Sequence, residues 1–415
     1  MKKAFKILWI GMVIVILVVV IGLLVLYISA PKPLAPPDTI QSISDIDTYF
    51  EKLTTNQTPP ALTVTVLKKG NPVYAKAFGY ADGPQKILAQ VDTIYPWWSV
   101  TKVFTATAIM QLYEQGMLDI DDPVQDYLPY FDVTTKDGSP KTITIRHLLT
   151  HRSGLRDLMP EGLNWIRLAG QPKPNQTAFF REKFTGKFRI LLFDPGTKAR
   201  YTNVGYMALG AVIEAVSGQE YEAYIHEHIL VPLALNDTTF IRPETLQRRT
   251  ATGSNPIINL FTGLLWIFGD KDIFKTYVRE TVNGRIWFNP LYTDYTPSTG
   301  LSGPSAEMAR FAQAFLLGGG IQGERILKQT TVDEILVTYP LEELAESYNN
   351  VQNGIGWKVW KLNEQIVYGH GGGGPGFGAL LAFIPERELV IAINANDTNI
   401  NRDDLLRMLA SFSWD

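Results

Sequence analysis

Segments with the alternating apolar pattern of β-strands lie near both ends of the chain. Residues Ala61 to Asp82 alternate on both sides of a Lys-Gly-Asn turn, which predicts a hairpin of two half-buried strands. Toward the C-terminus, a predicted helix over Asp403 to Phe412 follows four short β-rich runs, which are 356–360, 365–368, 378–383 and 389–395. We therefore expect strands from both chain ends to meet in one antiparallel sheet.

The interior of the chain has helical periods instead. Apolar residues from Val103 to Tyr113 share a helical stripe that stops at Gly116, and a second predicted helix over 205–216 stops at Gly218. Hydrophobic residues make up 46% of the 415 positions, which is enough for a sizeable core. The sequence predicts an α+β fold, in which a sheet built from both chain ends packs against a mostly helical region.

Charge and cysteine content exclude several functions. The net charge of −3 provides no basic field for nucleic acid, so we expect no nucleic-acid partner. The absence of cysteine excludes thiolate metal sites and a cysteine nucleophile. His147 and His151 are four residues apart but lack the glutamate of a zinc helix, and no segment has the context of a dinucleotide site. The sequence thus predicts neither a metal nor a cofactor.

An apolar run near the N-terminus predicts a membrane anchor. The 22 positions from Ile7 to Ile28 carry no charge and, as a helix, extend about 33 Å, enough to cross a bilayer. Lys2, Lys3 and Lys6 precede the run, which places the N-terminus in the cytoplasm and the body outside. We expect a single-pass protein of the cell membrane that contacts the lipid bilayer through residues 7–28. A cleaved signal peptide is the alternative.

These features divide the chain into three parts. Residues 1–30 are the predicted anchor, 31–41 a proline-rich linker and 42–415 the body. Within the body, 256–296 has the character of an insert and begins with the nearly uncharged run 257–268, which is too short to span a membrane. This run is either a buried helix or an interfacial or substrate-covering element. The second alternative suits the aromatic residues that follow, which are Trp287, Phe288, Tyr292 and Tyr295.

Ser99 and Lys102 are three residues apart at the start of a predicted helix. This spacing places the hydroxyl and the amine on one helical face. A serine alcohol needs an adjacent base, and a lysine serves as one when burial lowers its pKa. The pattern is common, however, and Ser99 as a helix cap with Lys102 in solvent explains it equally well.

Tyr201 and Asn203 are two apart, just before the second predicted helix, so their side chains point to one side of an extended segment. A phenol is able to act as general acid or base, and an amide is able to hold an acyl group or orient the lysine. The alternative is a core tyrosine and an asparagine helix cap.

His370 precedes four glycines, Gly371, Gly372, Gly373 and Gly374. Glycines allow backbone N–H groups to approach a ligand closely, which suits an oxyanion site. A flexible turn carrying a surface histidine is the alternative.

In this order, four segments of the chain resemble the β-lactamase-related serine hydrolases, the family of class C β-lactamases, DD-peptidases and certain esterases. The segments are SVTK, LLTHRSGL, PGTKARYTNVGYMALGAVIEAVSG and GHGGGGPGF. The resemblance covers most of the body, from about Ala61 to about Asn396. It implies a β-lactamase/transpeptidase-like fold and covalent catalysis through an acyl-enzyme.

The resemblance also implies roles for individual residues. Ser99 is the expected nucleophile, Lys102 its partner and Tyr201 the second acid or base. Backbone N–H groups of Ser99 and Gly373 would form the oxyanion hole. The expected contacts with a small-molecule or peptide substrate come from Asn203, His370, Gly371 and Gly372.

His370 departs from the family pattern, which in β-lactamases is commonly KTG. Because histidine is mostly neutral at pH 7, the permanent charge that binds a substrate carboxylate is missing. We therefore expect ester or amide hydrolysis. A penicillin-recognising DD-peptidase or class C-type β-lactamase is one alternative, and a catalytically silent binding protein is another.

Overall fold

The structure is a computed structural model. It describes residues 9–14, 17–18, 21–22, 34–37, 39–257, 259, 262–263, 275–337 and 351–414. Most of the predicted anchor, most of the linker's first half and most of the run 257–268 lie outside these residues. In the part of the chain that is described, no helix is long and apolar enough to cross a membrane.

Nineteen strands lie in the described residues. They are β1 (Ala61–Lys68), β2 (Asn71–Asp82), β3 (Ile87–Leu88), β4 (Tyr95–Pro96), β5 (Val133–Thr134), β6 (Pro140–Lys141), β7 (Ile166–Leu168), β8 (Ser254–Pro256), β9 (Val278–Val282), β10 (Arg285–Phe288), β11 (Leu291–Thr293), β12 (Ser302–Gly303), β13 (Gly320–Ile321), β14 (Glu324–Arg325), β15 (Gln352–Asn353), β16 (Lys358–Leu362), β17 (Gln365–Gly374), β18 (Phe377–Ile384) and β19 (Leu389–Ala395).

Eight of these strands form one antiparallel sheet in the order β15-β16-β17-β18-β19-β1-β2-β3. The first strand of the body lies beside the last one, with Val64 opposite Ile393. On its other edge β1 pairs with β2, with Val64 opposite Lys76. The prediction of a sheet built from both chain ends is therefore confirmed.

Twelve helices are described. They are α1 (Ile43–Thr55), α2 (Thr101–Glu114), α3 (Val124–Tyr127), α4 (Ile145–Leu149), α5 (Gln176–Lys183), α6 (Asn203–Ser217), α7 (Tyr221–Ile225), α8 (Glu244–Gln247), α9 (Thr296–Thr299), α10 (Ser305–Leu316), α11 (Gln329–Ile335) and α12 (Arg402–Ser411). The predicted helices over 103–113, 205–216 and 403–412 correspond to α2, α6 and α12.

Successive side chains point to opposite sides of a strand, so each central strand has two faces. Both faces are buried. On β19, Ile391 and Ile393 pack with the terminal helices α1 and α12, whereas Val390 and Ala392 pack with the helical region. The sheet is thus the middle layer between two helical layers, and the larger core lies on the side that carries α2, α6 and α10.

The described part of the predicted insert is tied to the end of the sheet. Strands β8, β10 and β9 form a small sheet, and Arg285 on β10 makes a buried ion pair of 2.5 Å with Asp397, just after β19. The aromatic residues singled out in this segment, Trp287, Phe288, Tyr292 and Tyr295, are all buried. They therefore serve as packing residues rather than as an exposed apolar surface.

Candidate active site

Ser99 lies in a tight turn between the short strand β4 and helix α2. The turn is a single 3₁₀ segment, Trp98–Val100, and Trp98 has φ of 48°, in the left-handed region that a bulky residue rarely adopts. The buried Trp97 anchors the turn, because its backbone N–H donates to the carbonyl of Leu301 (2.8 Å) and its indole donates to that of Gly303 (2.9 Å). The turn holds Ser99 half-buried, with its side chain partly open to solvent.

Lys102 follows one helical turn later and is fully buried. Its Nζ has three oxygen neighbours: Ser99 Oγ at 3.3 Å, Asn203 Oδ1 at 2.7 Å and the Ser298 carbonyl at 2.9 Å. The alternative of a capping serine beside a solvated lysine is wrong, because Ser99 makes no capping hydrogen bond to α2 and Lys102 is out of contact with solvent.

Burial lowers the pKa of Lys102 well below the usual value, because the charged amine loses its hydration. The carboxylate of Asp157 acts in the opposite direction and raises this pKa, while the positive charge of Lys358 lowers it further. A neutral amine donates two hydrogen bonds and keeps one lone pair. When the amine is neutral and donates to Asn203 and Ser298, its lone pair is available to Ser99 Oγ.

Tyr201 reaches the same hydroxyl from the segment that leads into α6. Its phenol donates to Ser99 Oγ at 2.7 Å, and its ring lies 4.8 Å from Lys102 Nζ. The N-cap of α6 is Thr202, whose hydroxyl accepts from the N–H of Val204. Asn203 is therefore not the cap, and its side chain remains available to Lys102.

Two residues that the sequence did not single out for catalysis support this segment. Asp157 accepts from the backbone N–H of Asn203 at 2.8 Å and from its Nδ2 at 3.1 Å. The buried His151 accepts the N–H of Thr202 on Nδ1 at 3.3 Å, and its ring lies 4.5 Å from that of Tyr201. Burial lowers the pKa of His151 well below its usual value, so the ring is neutral.

The sequence marks His151 only as a weak metal candidate together with His147. His147 instead contributes to the start of α4, where its Nδ1 accepts the N–H of Thr144. In the described part of the chain, no three His, Asp or Glu side chains are grouped as metal ligands.

The glycine segment is not a flexible turn, and His370 is not at the surface. Strand β17 continues through all four glycines to Gly374, and His370 is 2% exposed. The Nδ1–H of His370 donates to the carbonyl of Gly371 at 2.8 Å, and burial lowers the pKa of the ring well below its usual value.

The strand passes directly against the turn that carries Ser99. A Cβ on Gly372 would lie 1.9 Å from the carbonyl oxygen of Trp97 and 3.2 Å from the backbone nitrogen of Ser99. Only glycine fits at this position. The neighbouring Gly373 is exposed, so its peptide is accessible to solvent. The role of Ser99 and Gly373 as oxyanion donors stays a prediction that this arrangement suits.

Arg402 on α12 holds this part of the strand from the other side. Its Nη2 donates to the carbonyl of Gly372, and its Nε donates at 3.0 Å to that of Ala379, the partner of Gly372 on β18. The carbonyl of Gly372 and the N–H of Gly373 belong to one peptide group, so a donor on the carbonyl polarises the N–H. Nothing in the local sequence around Arg402 marks it, since it lies about thirty positions from the glycines.

The chain is similar to several known proteins. A family model described as Beta-lactamase matches residues 46–410. Protein flp of Staphylococcus aureus (strain MW2) is 31% identical over 234 residues, which are 55% of this chain and 45% of flp. Penicillin-binding protein 4* of Bacillus subtilis (strain 168) is 25% identical over 339 residues, 80% of this chain and 67% of that protein. The chain thus spans about half the length of flp.

Among solved structures, the octameric penicillin-binding protein homologue from Pyrococcus abyssi superposes with a TM-score of 0.70. The two chains are 24% identical, and the match covers 89% of this chain and 76% of the homologue. At this identity the likeness shows a shared α+β fold with a large antiparallel sheet.

Proposed function

Because the chain belongs to the beta-lactamase family, we propose that it is a serine hydrolase that forms an acyl-enzyme on Ser99 and cleaves ester or amide bonds. One observation carries the proposal: the Ser99 hydroxyl lies 2.7 Å from the phenol of Tyr201 and 3.3 Å from the amine of Lys102. A nucleophile needs such neighbours to lose its proton and to pass one to the leaving group.

The hydrogen bonds support a specific course for acylation. Neutral Lys102 takes the proton of Ser99 as Oγ attacks the substrate carbonyl and a tetrahedral oxyanion forms. Tyr201 then gives its phenolic proton to the leaving alcohol or amine and is reprotonated from Lys102. The bond from the acyl carbon to the leaving group breaks, and the acyl group remains on Ser99. Water then attacks the acyl-enzyme through the same series of proton transfers. The acyl group leaves Ser99 as the carboxylic acid, and the serine hydroxyl is restored.

The N–H groups of Ser99 and Gly373 are the proposed donors to the oxyanion. Such donors act best when they are fixed before the reaction, because no reorganisation is then needed as charge develops. Trp97 fixes the first donor through its bonds to Leu301 and Gly303. Arg402 fixes the second through the Gly372 carbonyl.

The burial of His370 supports substrates without an obligatory carboxylate. A neutral imidazole that donates to its own strand offers no permanent charge to a substrate. We therefore propose uncharged esters and amides as the preferred substrates.

A second candidate is a penicillin-recognising enzyme, and Lys358 is the observation that favours it. Its Nζ lies 5.5 Å from the ring centroid of Tyr201, and its charge lowers the pKa of Lys102, His151 and His370. A cation on β16 is thus near enough to the cleft to attract a carboxylate.

Labelling with a fluorophosphonate probe tests the proposal, with an ester screen in parallel. We expect labelling and turnover of p-nitrophenyl esters in the wild type, neither in Ser99→Ala, and both in the exposed control Ser139→Ala. Undiminished labelling of Ser99→Ala would remove Ser99 as the nucleophile. Stable acylation by a fluorescent penicillin would favour the second candidate, and a folded protein without any turnover would favour a silent binding protein.

We further propose that residues 7–28 anchor the enzyme in the cell membrane, with the N-terminus in the cytoplasm and the body outside. The support is the uncharged run and the lysines before it. Alkaline carbonate extraction of membranes tests the anchor. The full chain should stay in the pellet and a chain lacking residues 1–37 should be released, whereas release of both would contradict the proposal.

A further inference from the structure

Five charged side chains near the predicted insert form two ion pairs and leave one arginine, Arg242, outside them. Arg167 pairs with Asp294 at 3.0 Å, and Lys173 pairs with Glu222 at 2.7 Å. Arg242 is the fifth member, and within the described residues no carboxylate lies within ion-pair distance of it. Among the described residues, the positive charge of Arg242 therefore has no direct counter-charge.

That charge is buried. Arg242 is 4% exposed and stacks on the ring of Tyr292, 4.3 Å from its centroid. Its Nη1 donates to Ser302 Oγ at 3.1 Å, and its Nη2 donates to the carbonyl of Leu291 at 3.0 Å. Neutral oxygens thus take only part of the donor capacity of the guanidinium, and its Nε has no acceptor among the described residues. A buried charge without a counter-charge is costly.

A small cavity lies beside this guanidinium. The room for a water-sized particle in it is about 20 Å³, above the roughly 10–15 Å³ that one water molecule needs. Trp98 also lines it, and the indole N–H of Trp98 likewise has no acceptor among the described residues. Thr299 lines the wall too, but its hydroxyl already bonds to Thr293. Glu222 is present in the wall and is already neutralised by Lys173.

We propose that this cavity binds one monovalent anion of the size of chloride, held by the Nε of Arg242. An anion would compensate the charge of Arg242 and accept from its Nε, which has no acceptor among the described residues. A water molecule would satisfy the hydrogen bond but leave the buried charge uncompensated. The inference does not depend on the proposed hydrolase activity.

The position of the cavity links it to the turn that carries Ser99. Ser302, which accepts from Arg242, lies opposite Pro96 of β4, and Trp98 in the cavity wall immediately precedes Ser99. Four residues before Ser302, the carbonyl of Ser298 accepts from Lys102. A bound anion would therefore stabilise the segment 298–302 from behind the cleft.

Bromide gives a direct test, because it replaces chloride and scatters anomalously. In crystals of the full chain grown with sodium bromide, we expect an anomalous peak at hydrogen-bond distance from Arg242 Nε, and no peak in Arg242→Gln. Thermal unfolding at constant ionic strength, with chloride exchanged for the bulky anion gluconate, gives a second readout. Each tenfold rise in chloride above the dissociation constant should multiply the ratio of folded to unfolded protein by about ten.

The control is Arg248→Gln, which removes an arginine that is exposed and paired with Glu244. It should keep the full chloride dependence of the wild type, whereas Arg242→Gln should lose it. If Arg242→Gln does not fold, the test of the anion site rests on the bromide peak of the wild type and on the chloride dependence of Arg242→Lys. A wild type with no bromide peak and equal melting temperatures in chloride and gluconate would overturn the proposal and leave water as the occupant.

Discussion

The amide oxygen of Asn203 lies 2.7 Å from Nζ of Lys102. The orientation of this amide is not arbitrary, because its nitrogen donates to the carboxylate of Asp157 at 3.1 Å. A flipped amide would point its oxygen at the carboxylate and its N–H at the amine, and both contacts would be lost. Asp157 therefore acts on Lys102 in two ways: it fixes the acceptor that positions the amine, and its charge raises the pKa of that amine.

Replacement of Lys102 by methionine should abolish acylation. Methionine keeps the length and the burial but has no lone pair for the proton of Ser99, and loss of a general base costs about 10²–10⁴ in rate. Lys102→Arg should fail as well, since a guanidinium stays protonated. The measurement is the rate of fluorophosphonate labelling and of ester turnover. The exposed variant Lys69→Met serves as the control and should retain the wild-type rate; a labelling rate of Lys102→Met near that of the wild type would exclude the amine as base.

The pH dependence of kcat/KM should report the lowered pKa of Lys102. The neutral amine is the active form, so activity should fall as pH drops through this pKa. Asp157 raises the pKa of Lys102, so Asp157→Asn should move the acidic limb of the profile to lower pH. Lys358 lowers the pKa, so Lys358→Gln should move the limb to higher pH.

These two shifts have opposite signs, which separates an electrostatic effect from general damage to the site. A pH-rate profile of each variant against the wild type is the measurement. If both variants moved the acidic fall of kcat/KM in the same direction, or if neither moved it, the group that titrates there would not be Lys102.

The fold was predictable where the sequence has a period. Alternation marked β1 and β2, and the short runs at the C-terminus marked β16 to β19. The extent of β17 was not predictable, because four consecutive glycines carry no side-chain alternation and are typical of turns. The strand persists because β18 pairs with it through Gly374 opposite Phe377. Trp97 and Trp98 in the turn at Ser99 leave no room for a Cβ at Gly372 and Gly374.

The site was predictable only for residues within short motifs. Ser99 and Lys102 are one helical turn apart, and Tyr201 and Asn203 are two residues apart, so local spacing revealed each pair. Ser298 contributes a backbone carbonyl, which any residue type has, and thus leaves no trace in the sequence. Asp157 follows the THRSGL segment closely but is 46 positions from Asn203, so nothing in the local sequence links the two.

Substitution of Arg402 should weaken catalysis through the Gly373 N–H. Arg402→Gln removes the charged donor from the Gly372 carbonyl, and we expect kcat to fall about tenfold with little change in KM, well short of the 10²–10³ that loss of an oxyanion donor costs. Arg402→Lys should recover part of the loss. The control is Arg407→Gln on the same helix, whose arginine pairs at the surface with Asp403.

A merely structural role for Arg402 would instead lower the melting temperature and leave kcat of the folded fraction unchanged. Steady-state kinetics together with thermal unfolding of the three variants distinguish the two outcomes. An increase in KM alone would indicate that Arg402 binds substrate and does not position the peptide.

Adjacent glycines of β17 should differ sharply in their tolerance of alanine. At Gly372, a Cβ would lie 1.9 Å from the backbone carbonyl of Trp97, which cannot move without shifting the turn that carries Ser99. Overpacking of this kind costs about 1–3 kcal/mol of stability, and a displacement of the nucleophile by about 1 Å costs about 10² in rate.

At Gly373, the Cβ would meet only the end of the Arg402 side chain at 3.0 Å, and that side chain is able to adjust. Gly373→Ala should therefore keep a melting temperature close to the wild type and lose far less activity than Gly372→Ala. Thermal unfolding and ester turnover of the two variants provide the comparison, and equal tolerance at both positions would mean that the strand does not pass as closely behind Ser99 as the structure places it.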